Sequence, residues 1–260
     1  MDEKIFVNTI QTKPFQLAPV EIIIPFMDEH AKVLNLMTDI FNSISSNRYL
    51  ITLVDDGSLN QNFVQQLKSK KIPGVRFLNH KQNRGFGASI NTALKTPFPN
   101  YLPYVLIMHS DVRLKDVSWL FNLGTTLQKM KQQGTKMVSP LTNNPIDCVE
   151  QLKGNYGDKS DDRVIKDGFL PMYCALAHRQ LFDRVGPFAE CPYAGTETEE
   201  YAWRMKKNGF TQGICGSSWV EHEGQGTMKK FKKNKRVQDL LRKTHEEFEQ
   251  KIKTNNTNNK

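Results

Sequence analysis

Several short polar clusters follow apolar runs, and their residue types can manage charge. In "VLIMHSDVRL" (105–114) four apolar residues give way to His109-Ser110-Asp111. A carboxylate and an imidazole at one strand end can hold a divalent cation. Hard cations take oxygen ligands, and an imidazole moves the preference towards transition ions. A structural histidine at a strand end is the plainer alternative. In "YLITLVDDGS" (49–58), Asp55 and Asp56 precede Gly57. An acid there either stabilises the turn or accepts a hydrogen bond from a ligand. "NRGFGAS" (83–89) sets Arg84 and Gly85 before a helical stretch. Backbone N–H groups at a helix start and a guanidinium both suit a diphosphate, although an ordinary glycine turn has the same look. "ETEEYAWRMKKNG" (197–209) opens with Glu197, Glu199 and Glu200. These acids are candidate proton acceptors, or they complement the helix macrodipole.

The elements that must position these groups follow from periodicity. Buried strands are expected at 20–26, 49–56, 75–80, 104–111 and 136–142, and helices at 30–44, 60–70, 87–95 and 117–134, the last stopped by Gly134. Short apolar strands alternating with helices predict an α/β fold, a mainly parallel sheet with helices on both faces. Ligands bind such sheets beyond the carboxyl ends of the strands. "PFMDE", "VDDGS" and "HSD" all fall there. After residue 145 the pattern loosens. Residues 147–168 read as a loop, 178–186 and 197–209 as helices, and 211–227 as one or two short strands with a glycine-rich turn. Residues 230–250 read as a basic helix, and the final "KTNNTNNK" as unstructured.

The charge of +9 is unevenly placed. Residues 226–260 hold 11 Lys/Arg and 4 Asp/Glu, against 25 and 23 in the preceding body. "KKFKKNKR" (229–236) suits a phosphate-rich partner or an anionic membrane surface, or is a solvated arm. No apolar run approaches the roughly 20 residues that span a bilayer. The start lacks the pattern of a signal peptide. The four cysteines have neither zinc nor disulfide spacing and read as reduced thiols. A cytoplasmic protein is expected, with the inner membrane face, or a host cytoplasm for a viral source, as alternatives.

Five stretches, in order, resemble glycosyltransferase family 2: "VEIIIPFMDE", "ITLVDDGS", "NRGFGASINTAL", "VLIMHSDV" with "VSPLTN", and "LFDRVGPF…ETEEYAWRMKKNGF…VEHEGQGT". They span roughly residues 20–227. The resemblance implies a GT-A (Rossmann-like) fold. It also implies sugar transfer from a nucleotide diphosphate sugar to a hydroxyl acceptor, usually with inversion and with Mn²⁺ or Mg²⁺. His109-Ser110-Asp111 occupies the family's DxD position. Asp111 is then a metal ligand, His222 completes the site, and His109 is a second ligand or bonds the ribose. Asp56 matches the acid that reads the base, which favours a UDP- or dTDP-sugar. Pro25, Phe26, Met27 and Asp28 match the nucleotide-binding segment, with Phe26 and Met27 where the family commonly has Thr-Tyr. Arg84, Gly85 and Ser110 complete the donor site. Glu197, seven residues before Arg204, is the expected catalytic base. Thr198 stands where some relatives place that base, so Glu199 is the alternative.

The resemblance implies one domain over 1–227, with a nucleotide-sugar half (18–145) and an acceptor half (146–227), followed by a basic tail (228–260). A hexosyl- or pentosyltransferase acting on a glycan is the leading expectation. Transfer to modified nucleic-acid bases, helped by the basic tail, is the alternative. A catalytically inactive sugar-nucleotide-binding domain is the reading of another class. A nucleotidyltransferase is disfavoured, since "PFMDEHAK" lacks a glycine-rich basic loop after the first strand.

Overall fold

A computed structural model of the chain describes residues 18–45, 48–100, 102–145, 148–154, 158–165, 168–191, 196–224 and 235–257. The elements run β1 (Val20–Phe26), α1 (His30–Ser43), β2 (Tyr49–Asp55), α2 (Gln61–Ser69), β3 (Val75–Asn79), α3 (Phe86–Lys95), β4 (Tyr104–Met108), β5 (Val112–Arg113) and α4 (Trp119–Lys129). They continue with β6 (Thr135–Thr142), β7 (Arg163–Val164), β8 (Cys174–His178), α5 (Arg179–Val185), α6 (Glu197–Lys207), β9 (Thr211–His222) and α7 (Lys235–Thr257).

One mixed sheet orders the strands β3-β2-β1-β4-β8-β6-β9-β5, with β7 also paired to β9. The strands β3, β2, β1 and β4 are parallel. Alternate residues of β1 serve opposite faces, as strand geometry requires. Ile22 and Ile24 join a core with Val33, Leu36 and Ile40 of α1 and with Trp119 and Leu123 of α4. Ile23 joins the other core with Ile90 of α3 and with Tyr201 and Met205 of α6. Helices thus cover both faces, and the GT-A-like α/β expectation holds.

β8 was not foreseen. It lies antiparallel between β4 and β6. "CALAH" is buried except at its last residue, so no alternation marks it, and its small residues carry little strand signal. β9 is one 12-residue strand, longer than the one or two short strands expected, and residues 225–227 of the expected glycine-rich turn lie outside the described residues. Gly213 and Gly216 within it are packing sites. A Cβ at Gly213 would press on Met130, and one at Gly216 would overlap the Ser160 carbonyl. The expected 147–168 loop carries a short 3₁₀ turn (Val149–Gln151) and β7. Helix α7 continues through Thr257, into the stretch expected to lack structure.

A buried charge network ties the parallel strands together near the amino end of β1. Glu21, fully buried, accepts from Thr52 (2.6 Å) and Arg76 (2.7 Å), and also from Arg179 of α5.

Candidate active site

The site begins where β4 ends. The His109 N–H donates to the Tyr173 carbonyl (2.8 Å), and the Val112 N–H returns to the His109 carbonyl (3.3 Å), closing a turn around Ser110 and Asp111. The chain then pairs antiparallel with β9, Val112 opposite His222 and Arg113 opposite Glu221. The Glu223 N–H donates to the Asp111 carbonyl (3.0 Å). This pairing carries His222 across more than a hundred residues of sequence to the "HSD" turn. One ligand atom from each of His109, Asp111 and His222 lies within 4.8 Å of the others. His222 Nε2 is 3.4 Å from Asp111 Oδ1, and His109 Nδ1 is 3.9 Å from the same oxygen.

His222 is held from three sides. Its N–H donates to Asn143 Oδ1 (2.8 Å), its Nδ1 meets the Asn144 carbonyl at 2.9 Å, and its ring stacks on Tyr173 at 4.8 Å and 15°. A carbonyl only accepts, so Nδ1 carries the proton and Nε2 is left to face the Asp111 carboxylate. Two acceptors at that separation call for a proton or a metal ion between them. A ring N–H tied to a backbone carbonyl is the common support of a metal-binding histidine. Burial pushes His109 down to about 4, against the pull of Asp111, so its imidazole is neutral and able to donate a lone pair. Burial raises the Asp111 carboxyl. Contact with His222 and nearby positive charge, that of Lys32 included, outweigh this and bring it to about 2, so it is ionised. Two imidazoles and a carboxylate fit a divalent transition ion better than Mg²⁺, which prefers oxygen and water.

The nucleotide-side residues have unexpected partners. Asp55 Oδ1 accepts the Ser58 N–H (2.9 Å), the turn role foreseen for it. Asp56 has all four acceptor positions taken. Its Oδ1 meets His80 Nδ1 (2.7 Å) and the Arg84 N–H (2.9 Å), and its Oδ2 meets Asn83 Nδ2 (2.7 Å) and the Gly85 N–H (2.9 Å). The helix-start N–H groups of Arg84 and Gly85, expected to face a diphosphate, are thus directed at a carboxylate of the protein. The Arg84 guanidinium pairs with Glu190 at 2.6 Å. Asp28, at φ 58°, accepts the Leu59 and Asn60 N–H groups (2.8 and 3.3 Å). Met27 Sδ accepts from Asn83 Nδ2 (3.3 Å), while Phe26 is buried. Pro25 lies past Ile23, the last β1 residue paired with β4, where its missing N–H leaves that pairing intact.

Glu197, the first residue of α6, is only 3% exposed. Glu199 is half-buried. Glu200 is paired with Arg204 (2.8 Å), which also donates to the carbonyls of Val185 and Pro187 (2.6 and 2.8 Å). Cys191 hydrogen-bonds Thr244 of α7 and lies close enough to Glu197 for its charge to act on the thiol.

The sequence profile of glycosyl transferase family 2 matches residues 21–186, well over half of the chain. The chain belongs to glycosyl transferase family 2. Among solved structures it is similar to the mannosyltransferase PcManGT from Pyrobaculum calidifontis in complex with GDP-Man and Mn²⁺. That match has 17% identity and TM-score 0.59, covering 80% of this chain and 60% of that one. It is also similar to GalNAc-T7 with UDP, GalNAc and Mn²⁺ (13%, TM-score 0.61, 79% and 44%) and to S. aureus TarS with UDP-GlcNAc (14%, 0.56, 81% and 60%). These likenesses concern the fold, and the chain spans 44–60% of the length of these structures. Comparison with curated proteins finds no match.

In this family 2 chain, the residues that sequence reading missed are those acting on other residues. Asn143, Asn144 and Tyr173 fix His222, while His80 and Asn83 occupy Asp56. "VSPLTN" did belong to the family pattern, but nothing in it told that Asn143, and Asn144 just after it, reach β9. Most of the basic run 229–236 lies outside the described residues. Among the described residues no helix is long and apolar enough to cross a membrane.

Proposed function

We propose that the protein is a metal-dependent, inverting glycosyltransferase that moves a hexosyl or pentosyl unit from a UDP- or dTDP-sugar to a hydroxyl of a glycan. The observation that carries this reading is the His109–Asp111–His222 cluster at the carboxyl end of β4. Mn²⁺ in two of the similar structures supports it.

Asp111, His222 and His109 would hold the cation, which when bound neutralises the charge that develops on the departing diphosphate. The Glu197 carboxylate takes the proton of the acceptor hydroxyl as that oxygen attacks the anomeric carbon, with Glu199 as the alternative base. The bond from the anomeric carbon to the diphosphate oxygen breaks, and the electron pair leaves with the nucleotide. Pro25, Phe26, Met27 and Asp28 border the nucleotide, while Arg84, Gly85 and Ser110 complete the donor site. Asp56 first organises the 83–85 segment. Rotation of the Asn83 side chain would free Oδ2 to accept a uracil or thymine imide N–H.

Hydrolysis of the correct donor needs no acceptor, so a panel of nucleotide sugars incubated with Mn²⁺ tests the reading. One uracil or thymine nucleotide sugar should be cleaved slowly, and chelation should stop it. Asp111→Ala should cost several kcal/mol of transition-state stabilisation, on the order expected for metal catalysis, with folding intact. Wild-type turnover by that variant, or turnover indifferent to metal, refutes the assignment.

A further inference from the structure

Lys32, in the first turn of α1, stands beside the metal cluster but belongs to none of the motifs described above. Its Nζ lies 3.4 Å from Glu29 Oε2 and 3.7 Å from Glu223 Oε2. Glu223 directly follows His222, and its N–H is bonded to the Asp111 carbonyl. The ammonium is thus drawn to the segment that carries His222 and that is hydrogen-bonded to the turn carrying Asp111. Its charge reaches the Asp111 carboxylate itself. Both ion-pair distances exceed the 2.7–2.9 Å of a charge-assisted hydrogen bond. Both pairs are partly buried but long, and neither holds the ammonium in a close hydrogen bond, so the side chain can turn to another anion. Lysine also has four flexible methylenes and three rotatable donors, which let it follow a ligand that arrives and departs.

A cation next to a cation site is unfavourable until an anion joins them. Without ligand, the Lys32 ammonium opposes a divalent ion at Asp111, and Glu29 and Glu223 partly offset that repulsion. With a diphosphate on the ion, the same ammonium has a charged oxygen to meet.

We propose that Lys32 is a diphosphate-positioning residue, which leaves Glu29 and Glu223 to grip the metal-bound diphosphate of the donor and of the departing nucleotide. The proposal rests on the metal-dependent reading of the His109–Asp111–His222 cluster. It makes metal and diphosphate binding cooperative through a side chain that is not a metal ligand.

The test exploits opposite signs. Titration calorimetry measures the affinity of wild type, Lys32→Ala and Lys32→Arg for Mn²⁺ alone, and for pyrophosphate and UDP at saturating Mn²⁺. Lys32→Ala should bind Mn²⁺ alone at least as tightly as wild type, since a repelling charge is gone. It should bind pyrophosphate and UDP about 10- to 100-fold more weakly, the range of one hydrogen bond to a charged group. Lys32→Arg should restore most of that loss. A merely structural lysine would move both affinities in the same direction. Equal affinity of wild type and Lys32→Ala for Mn²⁺-pyrophosphate, or parallel weakening of both ligands, overturns the proposal and leaves the metal site standing. A wild type that does not bind Mn²⁺ overturns the metal reading itself and the proposal with it.

Discussion

The acids divide by their surroundings. Glu200 is committed to Arg204, whereas Glu197 is buried at the helix start beside Cys191. Glu197→Gln keeps the shape and removes the proton acceptor. Sugar transfer should fall by roughly 100- to 10,000-fold, with donor affinity nearly unchanged. Wild-type transfer by Glu197→Gln with loss in Glu199→Gln would move the base two residues on. Asp56 makes a separate case. Asp56→Asn turns one acceptor oxygen into an NH₂ group that must face donors from residues 80–85. Leaving buried donors unsatisfied costs about 1–3 kcal/mol each, so the denaturant midpoint should drop. UDP affinity should fall as well, since the new NH₂ group cannot accept the imide N–H, and unchanged UDP affinity would remove Asp56 from base reading.

Single elements carry their own pH dependence. His178 ends β8, packs against Tyr104 of β4 at 5.1 Å, and has a buried Nε2 among the unpartnered polar atoms of the described residues. Burial first, then the charges of Lys136 and Lys131, bring it down to about 4. The folded state therefore holds it neutral, while the unfolded chain takes up a proton near pH 6.5. Its contribution to stability is complete above that pH and is lost progressively as pH falls towards 4. His178→Phe keeps the ring and removes the titration. Urea midpoints at about pH 8 and pH 5 should fall less for the variant than for wild type, and equal falls would exclude His178 as a source of the slope. The "DDGS" turn shows how little room these strand ends leave. Gly57 sits at φ 77°, and a Cβ there would come within 2.5 Å of the Gln82 backbone, so the acid pair and the 82–85 segment are packed as one unit.

At the scale of the whole molecule, the basic tail resolves into two parts. Residues 235–257 hold six Lys/Arg and four Asp/Glu, so α7 is nearly balanced, and the basicity is concentrated just before it. Val237 and Phe248 are 3% and 4% exposed, and Thr244 reaches Cys191, so α7 is docked on the body beside the start of α6. Removing residues 228–260 should therefore destabilise the protein, since each fully buried apolar side chain is worth about 1.5–3 kcal/mol. An unchanged thermal midpoint would contradict that docking. A variant with only the lysines of 229–233 neutralised separates recognition from stability. If the run binds a polyanion, affinity for duplex DNA or an anionic glycan should fall steeply with salt in wild type and weakly in the variant.

The α/β class, the strand ends that carry chemistry and the order of the family motifs were legible in the sequence, because they depend on local periodicity and on short polar segments that end apolar runs. The partners of those segments were not. His222 meets Asp111 only because β5 pairs antiparallel with β9, and β8, the strand between β4 and β6, is too uniformly buried to show a period. Likewise, "DDGS" and "NRGFG" each suggested a ligand contact, but the fold brings them face to face. The Asp56 carboxylate then takes the N–H groups that a diphosphate was expected to use. Local sequence determines which groups stand at a strand end. The long-range pairing of strands decides which of them meet, and so which remain free to bind.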